Sequence, residues 1–274
     1  MMRRPILTLL LLVLCLGCVA QDFPKRIFSG YQGDFHVQGA AYDRQRQCVY
    51  MSFTTKLMKY DLQGRLIASV NGLTGHLGCI GINPDDGRLY GSLEYKHDVI
   101  GTGNLGVKND ARTGFYVAIF DLDKIDRIDM SPDEVMTTVY IPEVVADCEA
   151  TVVNNGRQVA HRYGASGIDG LTFAPQWGKR SGRNYLYLGY GVYGDTTRTD
   201  NDYQVLLCYD VRQWSRYARK IDPTHIHESG PTKPRAKYFV YTGNSDYGIQ
   251  NLEYDASTGY MFAAVYHGYK SQWP

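Results

Sequence analysis

The sequence predicts an all-β fold, a β-propeller of four-stranded antiparallel blades, and three observations carry that expectation. A seven-residue strand motif recurs, an aromatic residue follows it at a near-constant interval, and an aromatic-Asp-aliphatic triplet closes a third strand. Landmarks repeated in constant order mark stacked supersecondary units.

The first strand of each repeat occupies residues 37–43, 77–83, 168–174 and 249–255. Its first, fourth and sixth positions are apolar, as in Ile168, Leu171 and Phe173, and its third is small or an amide, as in Gly39 and Asn251. The second strand brings an aromatic: Tyr42 is followed by Tyr50, Ile82 by Tyr90, Tyr254 by Phe262 and, over a longer turn, Phe173 by Tyr187. Turn sequences such as Asp85-Asp86-Gly87 and Ser257-Thr258-Gly259 join the pairs into hairpins. The third strand ends in Tyr60-Asp61-Leu62, Phe120-Asp121-Leu122 or Tyr209-Asp210-Val211, and fourth strands are expected over 65–70, 135–141 and 236–242. A β-sandwich also has short strands and frequent turns, but it would not repeat three landmarks in order. About three and a half blades are expected. The fourth repeat shows only its first two strands, so the sequence reads as C-terminally truncated, and residues 26–31 have the length to supply an outer strand of a last blade.

Composition agrees with strands and turns, with 23 Tyr and 29 Gly among 274 residues. Lys plus Arg number 29 and Asp plus Glu 28, without long runs of either sign, so no basic face for nucleic acid is expected. Residues 1–20 read as a leader, with Arg3 and Arg4 before the apolar run 6–16, which is too short to span a bilayer. Two cleavages compete. Leu16-Gly17-Cys18 resembles a bacterial lipobox with Cys18 acylated, the preferred reading, and Cys18-Val19-Ala20 resembles a signal peptidase site before Gln21. Export to the periplasm or outer membrane of a Gram-negative bacterium follows, with a lipid anchor as the sole membrane contact. Residues 21–274 then form one monomeric domain. Its four cysteines, Cys48, Cys79, Cys148 and Cys208, fall mostly within strands and are expected as buried thiols rather than an essential disulfide.

Alignment of the repeats places Gln38, Gly78, Asp169 and Gln250 at one position near a channel entrance, with His36 and His76 two residues earlier in their strands. Oxygen-bearing side chains around an axis suit a Ca²⁺ ion or the polar groups of a small ligand. Glu94 adds charge there, whereas strand alternation would aim Glu253 away. Blades two and three lengthen the connection between their second and third strands. Residues 95–114 carry His97 and Asp98, and residues 191–203 carry Asp195, on the same expected face. Asymmetric polar loops on a repetitive scaffold are where a ligand site is sought. An extra hairpin is expected within 151–163, and His225 and His227 form a weaker candidate metal pair in a Pro-rich loop.

Residues 167–175, Gly-Ile-Asp-Gly-Leu-Thr-Phe-Ala-Pro, resemble the Asn-Gly-Leu-x-Phe-x-Pro strand of gluconolactonase-like and paraoxonase-like propellers. In that family the motif's Asn binds calcium, so the resemblance places Asp169 on the metal, and Gln38 stands where the family has a Glu on the first inner strand. Asp169, Gln38 and Gln250 would contact Ca²⁺, and His76 or His97 would serve as general base. In overall character the chain is similar to uncharacterised secreted or lipoprotein propellers of Bacteroidetes. The leading expectation is a binding propeller that holds a small molecule, glycan or peptide through His36, Gln38, His76, Glu94, His97, Asp98, Asp169, Asp195 and Gln250. The alternative is a calcium-dependent lactone or ester hydrolase.

Overall fold

The computed structural model describes residues 24, 26–96, 112–222, 224–243 and 248–265. Three four-stranded antiparallel sheets follow one another, each ordered as its strands come in the chain. Blade one is β1 (Gly39–Asp43), β2 (Cys48–Phe53), β3 (Lys56–Asp61) and β4 (Leu66–Asn71). Blade two is β5 (His76–Ile82), β6 (Leu89–Tyr95), β7 (Gly114–Phe120) and β8 (Met136–Tyr140). A hairpin, β9 (Thr151–Asn154) and β10 (Arg157–Ala160), precedes blade three, which is β11 (Ala165–Pro175), β12 (Asn184–Val192), β13 (Tyr203–Tyr209) and β14 (Ala236–Tyr241). A fourth sheet pairs β15 (Ile249–Asp255) with β16 (Tyr260–Val265). The innermost strands touch in succession, β1 to β5, β5 to β11 and β11 to β15, which makes the sheets blades around an axis.

The cores lie between blades. In β7 the residues alternate: Phe115, Val117 and Ile119 enter the core shared with blade three, and Tyr116, Ala118 and Phe120 enter the core shared with blade one. A strand covered on both faces therefore reads as the unbroken apolar run Gly-Phe-Tyr-Val-Ala-Ile-Phe, all of it buried. The second-strand aromatics Tyr50, Tyr90 and Tyr187 are fully buried in these seams, whereas Phe262 on β16 is 56% exposed.

The triplets close the third strands for a physical reason. Asp61 accepts hydrogen bonds from the backbone N–H groups of Gln63 and Arg65, at 2.9 and 2.8 Å, and Asp210 accepts from that of Arg212. Leu62, Leu122 and Val211, next in each triplet, are buried. In blades one and three the Asp caps the turn, and in all three the aliphatic residue anchors it.

The outer strands of blades one and two are each covered by the next blade. Ser69 and Asn71 of β4 donate to the carbonyls of Arg127 and Met130, at 3.0 Å each, from the connector between β7 and β8. Thr138 of β8 exchanges N–H···O bonds with Arg219, from the connector between β13 and β14, at 2.7 and 3.0 Å. The edges that would invite pairing with another chain are thereby occupied in blades one and two. The sequence motifs gave no sign of this overlap.

Residues 26–31 form no strand. Ile27 packs beside Phe53, Met58 and Tyr60, and the Tyr60 hydroxyl donates to the Ser29 carbonyl at 3.0 Å, so this segment lies on blade one rather than pairing as an outer strand. Cys48, Cys79, Cys148 and Cys208 are buried free thiols.

Candidate functional site

The aligned position of the repeats is a β-bulge in three of four inner strands. Pairing skips from Leu77 to Ile80 in β5, from Ile168 to Gly170 in β11 and from Ile249 to Asn251 in β15. The extra residues include Gly78, Asp169 and Gln250, the aligned set. A bulge leaves one residue out of the ladder and re-aims it, so each strand turns a residue toward the axis at the same height. Gln38, the fourth member, stands just before β1 and donates its backbone N–H to Ser52 at 2.9 Å.

Gln38, His76, Gly78, Glu94, Asp169 and Gln250 together line one small cleft, of about 30 Å³, at the axis. That volume holds a water, a bare ion or one polar group of a larger molecule. Glu94 is only 3% exposed, and its two oxygens are engaged: Oε1 accepts from the Ile168 N–H at 2.6 Å, and Oε2 pairs with Lys96 Nζ at 2.8 Å. Lys96 also donates to the Ser166 carbonyl at 3.0 Å, and the Gln250 amide donates to Asp169 Oδ2 at 3.3 Å. Hydrogen bonds thus run from blade two to three and from three to four. Between blades one and two, Ser52 Oγ donates to the Gly78 carbonyl at 2.6 Å.

Two glycines make room for the acids. A Cβ at Gly167, whose φ is +151°, would stand 2.1 Å from Glu94 Oε1, and one at Gly191 would stand 2.0 Å from Asp169 Oδ2. Burial, then the neighbouring charge of Glu94, pushes the Asp169 carboxyl up to about 7, against the opposing pull of Lys96 and the Gln250 hydrogen bond. Burial pushes the adjacent Cys79 thiol up to about 12, which leaves it protonated and a poor nucleophile at neutral pH.

The other expected residues are placed as follows. His36 is exposed at the rim, 3.4 Å from the Gln38 amide, and does not line the cleft. Asp195 also stands apart from it and organises its own loop, accepting from the Thr197 N–H and hydroxyl at 2.8 and 2.7 Å. His97 and Asp98 lie outside the described residues, as does Cys18. His225 and His227 are engaged separately. His225 faces Asp222, and His227 is bonded through Nε2 to Thr138 at 2.8 Å and through Nδ1 to the Ser229 N–H at 3.1 Å. Among the described residues no three His, Cys, Asp or Glu side chains gather as a metal cluster.

The loop of residues 193–202 continues from β12 at the same end as the cleft, opposite the start of β11. It docks on the β9–β10 hairpin, a contact the sequence did not reveal. Arg198, 5% exposed, donates to the carbonyls of Ala160 and His161, both at 2.6 Å, and pairs with Asp200, which in turn accepts from the Tyr163 N–H at 3.1 Å. The pair supports His161 and Tyr163 in left-handed conformations, φ +63° and +59°. Lys96, Gly167 and Gly191 were also missed. Lys96, just past the end of β6, carried a signal, since it follows Glu94 by two along an extended chain and projects to the same side.

No family model matches the chain, and no curated protein matches it. Among solved structures it is similar to the computationally designed Ika4 protein, with 9% identity, TM-score 0.27, 89% of this chain and 99% of that one covered. It is also similar to the Dos1 propeller, with 10% identity, TM-score 0.34, and coverage of 84% and 53%, so that it spans about half of that chain. A protein of unknown function from Bacteroides caccae shows 8% identity, TM-score 0.28, and coverage of 82% and 69%. The fold stands on the chain's own sheets and seams rather than on these likenesses.

Proposed function

We propose that this propeller is a binding protein that takes a small molecule, glycan or peptide at the axial cleft, on the face that bears the elongated loops of blades two and three. The observation that carries the reading is the three bulges, which spend ladder hydrogen bonds to bring Gly78, Asp169 and Gln250 to one height on the axis. The cleft admits one hydroxyl or amine of a ligand, recognised by the Asp169 carboxyl and the Gln38 and Gln250 amides. The remainder of the ligand lies over the mouth, beside the platform that Arg198 fixes. The test is a thermal-shift screen of saccharides, polar metabolites and short peptides against the full chain. A specific ligand raises the transition of the wild type and not of Asp169→Asn. Equal shifts in both proteins, or none across the panels, would refute the reading.

A second reading, a calcium-dependent lactone or ester hydrolase, is favoured by one observation: the Asp169 carboxyl titrates near neutrality, where a general acid or base works best. The donors fit calcium poorly. Calcium takes about six to eight oxygens, and here both Glu94 oxygens are engaged and the Lys96 ammonium supplies the local positive charge. Calorimetry with Ca²⁺ and turnover of a lactone panel decide it; tight binding and turnover, both lost in Asp169→Ala, would establish it. Export and tethering through Cys18 belong to the same proposal. Incorporation of a labelled fatty acid that disappears in Cys18→Ala would support them, and unlabelled wild type would remove the anchor.

A further inference from the structure

The same bulges create a second tier of the channel. An extra residue at positions 78, 169 and 250 breaks strict alternation, so the residues three further along, Gly81, Thr172 and Glu253, also turn to the axis. Alternation alone would have aimed Glu253 away; the bulge at Gln250 reverses that expectation. These residues line a cavity of about 570 Å³ at the opposite end of the inner strands from Asp169, well within the size of small-molecule sites. Ala40 and Ala41 of β1 leave it wide, and Gly81 admits the Leu171 side chain, which a Cβ there would meet at 2.9 Å.

Its lining is chemically lopsided. Tyr42, from the first inner strand, contributes an aromatic ring, and Glu253, from the last, is the one carboxylate in the wall among the described residues. No lysine or arginine lines it among the described residues. Nearby basic side chains are committed elsewhere: Arg46 is paired with Asp43 and Asp123, and Arg88 with Asp86. The rim adds further acids, Asp255 beside Glu253 and Asp85, which accepts from the Asn184 amide at 2.7 Å. Partial desolvation, then the charge of Asp255, raises the pKa of Glu253, as expected of a carboxylate with no cation beside it.

We propose that this cavity is a second binding site, distinct from the Asp169 cleft, and that it takes an organic ammonium: a positively charged nitrogen against Glu253 and the Tyr42 ring, on an apolar body that fills the rest. Carboxylate attraction and cation–π contact favour the same ligand there. The proposal is independent of what binds at the other end of the channel.

Calorimetric titration of the full chain with phenethylammonium and benzyltrimethylammonium, and with phenylacetate as an anion of similar shape, tests it. Both ammonium probes should bind with Kd below about 1 mM, and phenylacetate should give no heat. Glu253 and Tyr42 are exposed, so Glu253→Gln and Tyr42→Ala should fold normally; the first should weaken binding about tenfold or more and the second several-fold. Asp169→Asn should leave the affinity within about twofold. Absence of ammonium binding, equal binding of phenylacetate, an unchanged Kd in Glu253→Gln, or loss in Asp169→Asn would each overturn the assignment.

Discussion

Asp169 and Glu94 are held close together, and the backbone around them is shaped to allow it. Gly167 and Gly191 leave the carboxylates the space that any side chain would occupy. Gly167→Ala should cost about 2 kcal/mol or more in urea unfolding, because the new Cβ displaces Glu94 at a φ that other residues rarely adopt. The raised Asp169 pKa makes stability depend on pH with a definite sign. An acid held at about 7 in the fold and 3.8 when unfolded keeps its proton longer in the native state. Its contribution is therefore complete below about pH 4 and is lost as pH rises through about 7. The urea midpoint of the wild type should decline across that window, and Asp169→Asn should remove that part of the slope; identical slopes would show that Asp169 titrates normally. The aligned positions of Gln38, Asp169 and Gln250 were legible in the sequence because the repeat preserves register. The bulges at Asp169 and Gln250 were not, since a bulge is a relation between two strands that neither strand's residue pattern records.

At the scale of elements, the blades behave as layers that are stable only against their neighbours. Leu188 of β12 is fully buried in the seam between blades two and three, and Leu188→Ala should cost about 2–5 kcal/mol with a single cooperative transition retained. Arg198 is the comparable keystone of the loop platform. Removing its guanidinium takes a donor from the Ala160 and His161 carbonyls and the cation from the Asp200 carboxylate, so Arg198→Ala should cost about 1–3 kcal/mol. Amide exchange should rise in 151–163 and 193–202 while β7 stays protected; uniform acceleration would mean that the platform is not a separate unit. The strands were legible because Tyr50, Tyr90, Tyr187 and the triplet aspartates recur. The docking of 193–202 on the hairpin was hidden, because a salt-bridged guanidinium with two carbonyl partners has no sequence period.

For the whole molecule, the four sheets are stitched along the axis by polar contacts and between their faces by apolar seams. The polar contacts converge on the Asp169 cleft, and the wide cavity lies at the far end of the same strands. The fold class was readable from repetition, whereas the two-tiered channel emerges only when the inner strands are brought together. The proposed binding function depends on the cleft being the mouth that takes the ligand. The direct test is calorimetric titration of a ligand found in the thermal-shift screen into wild type, Asp169→Asn and Glu253→Gln. A loss of about tenfold or more is expected in Asp169→Asn and an unchanged Kd in Glu253→Gln. Undiminished affinity in Asp169→Asn would contradict the proposed function.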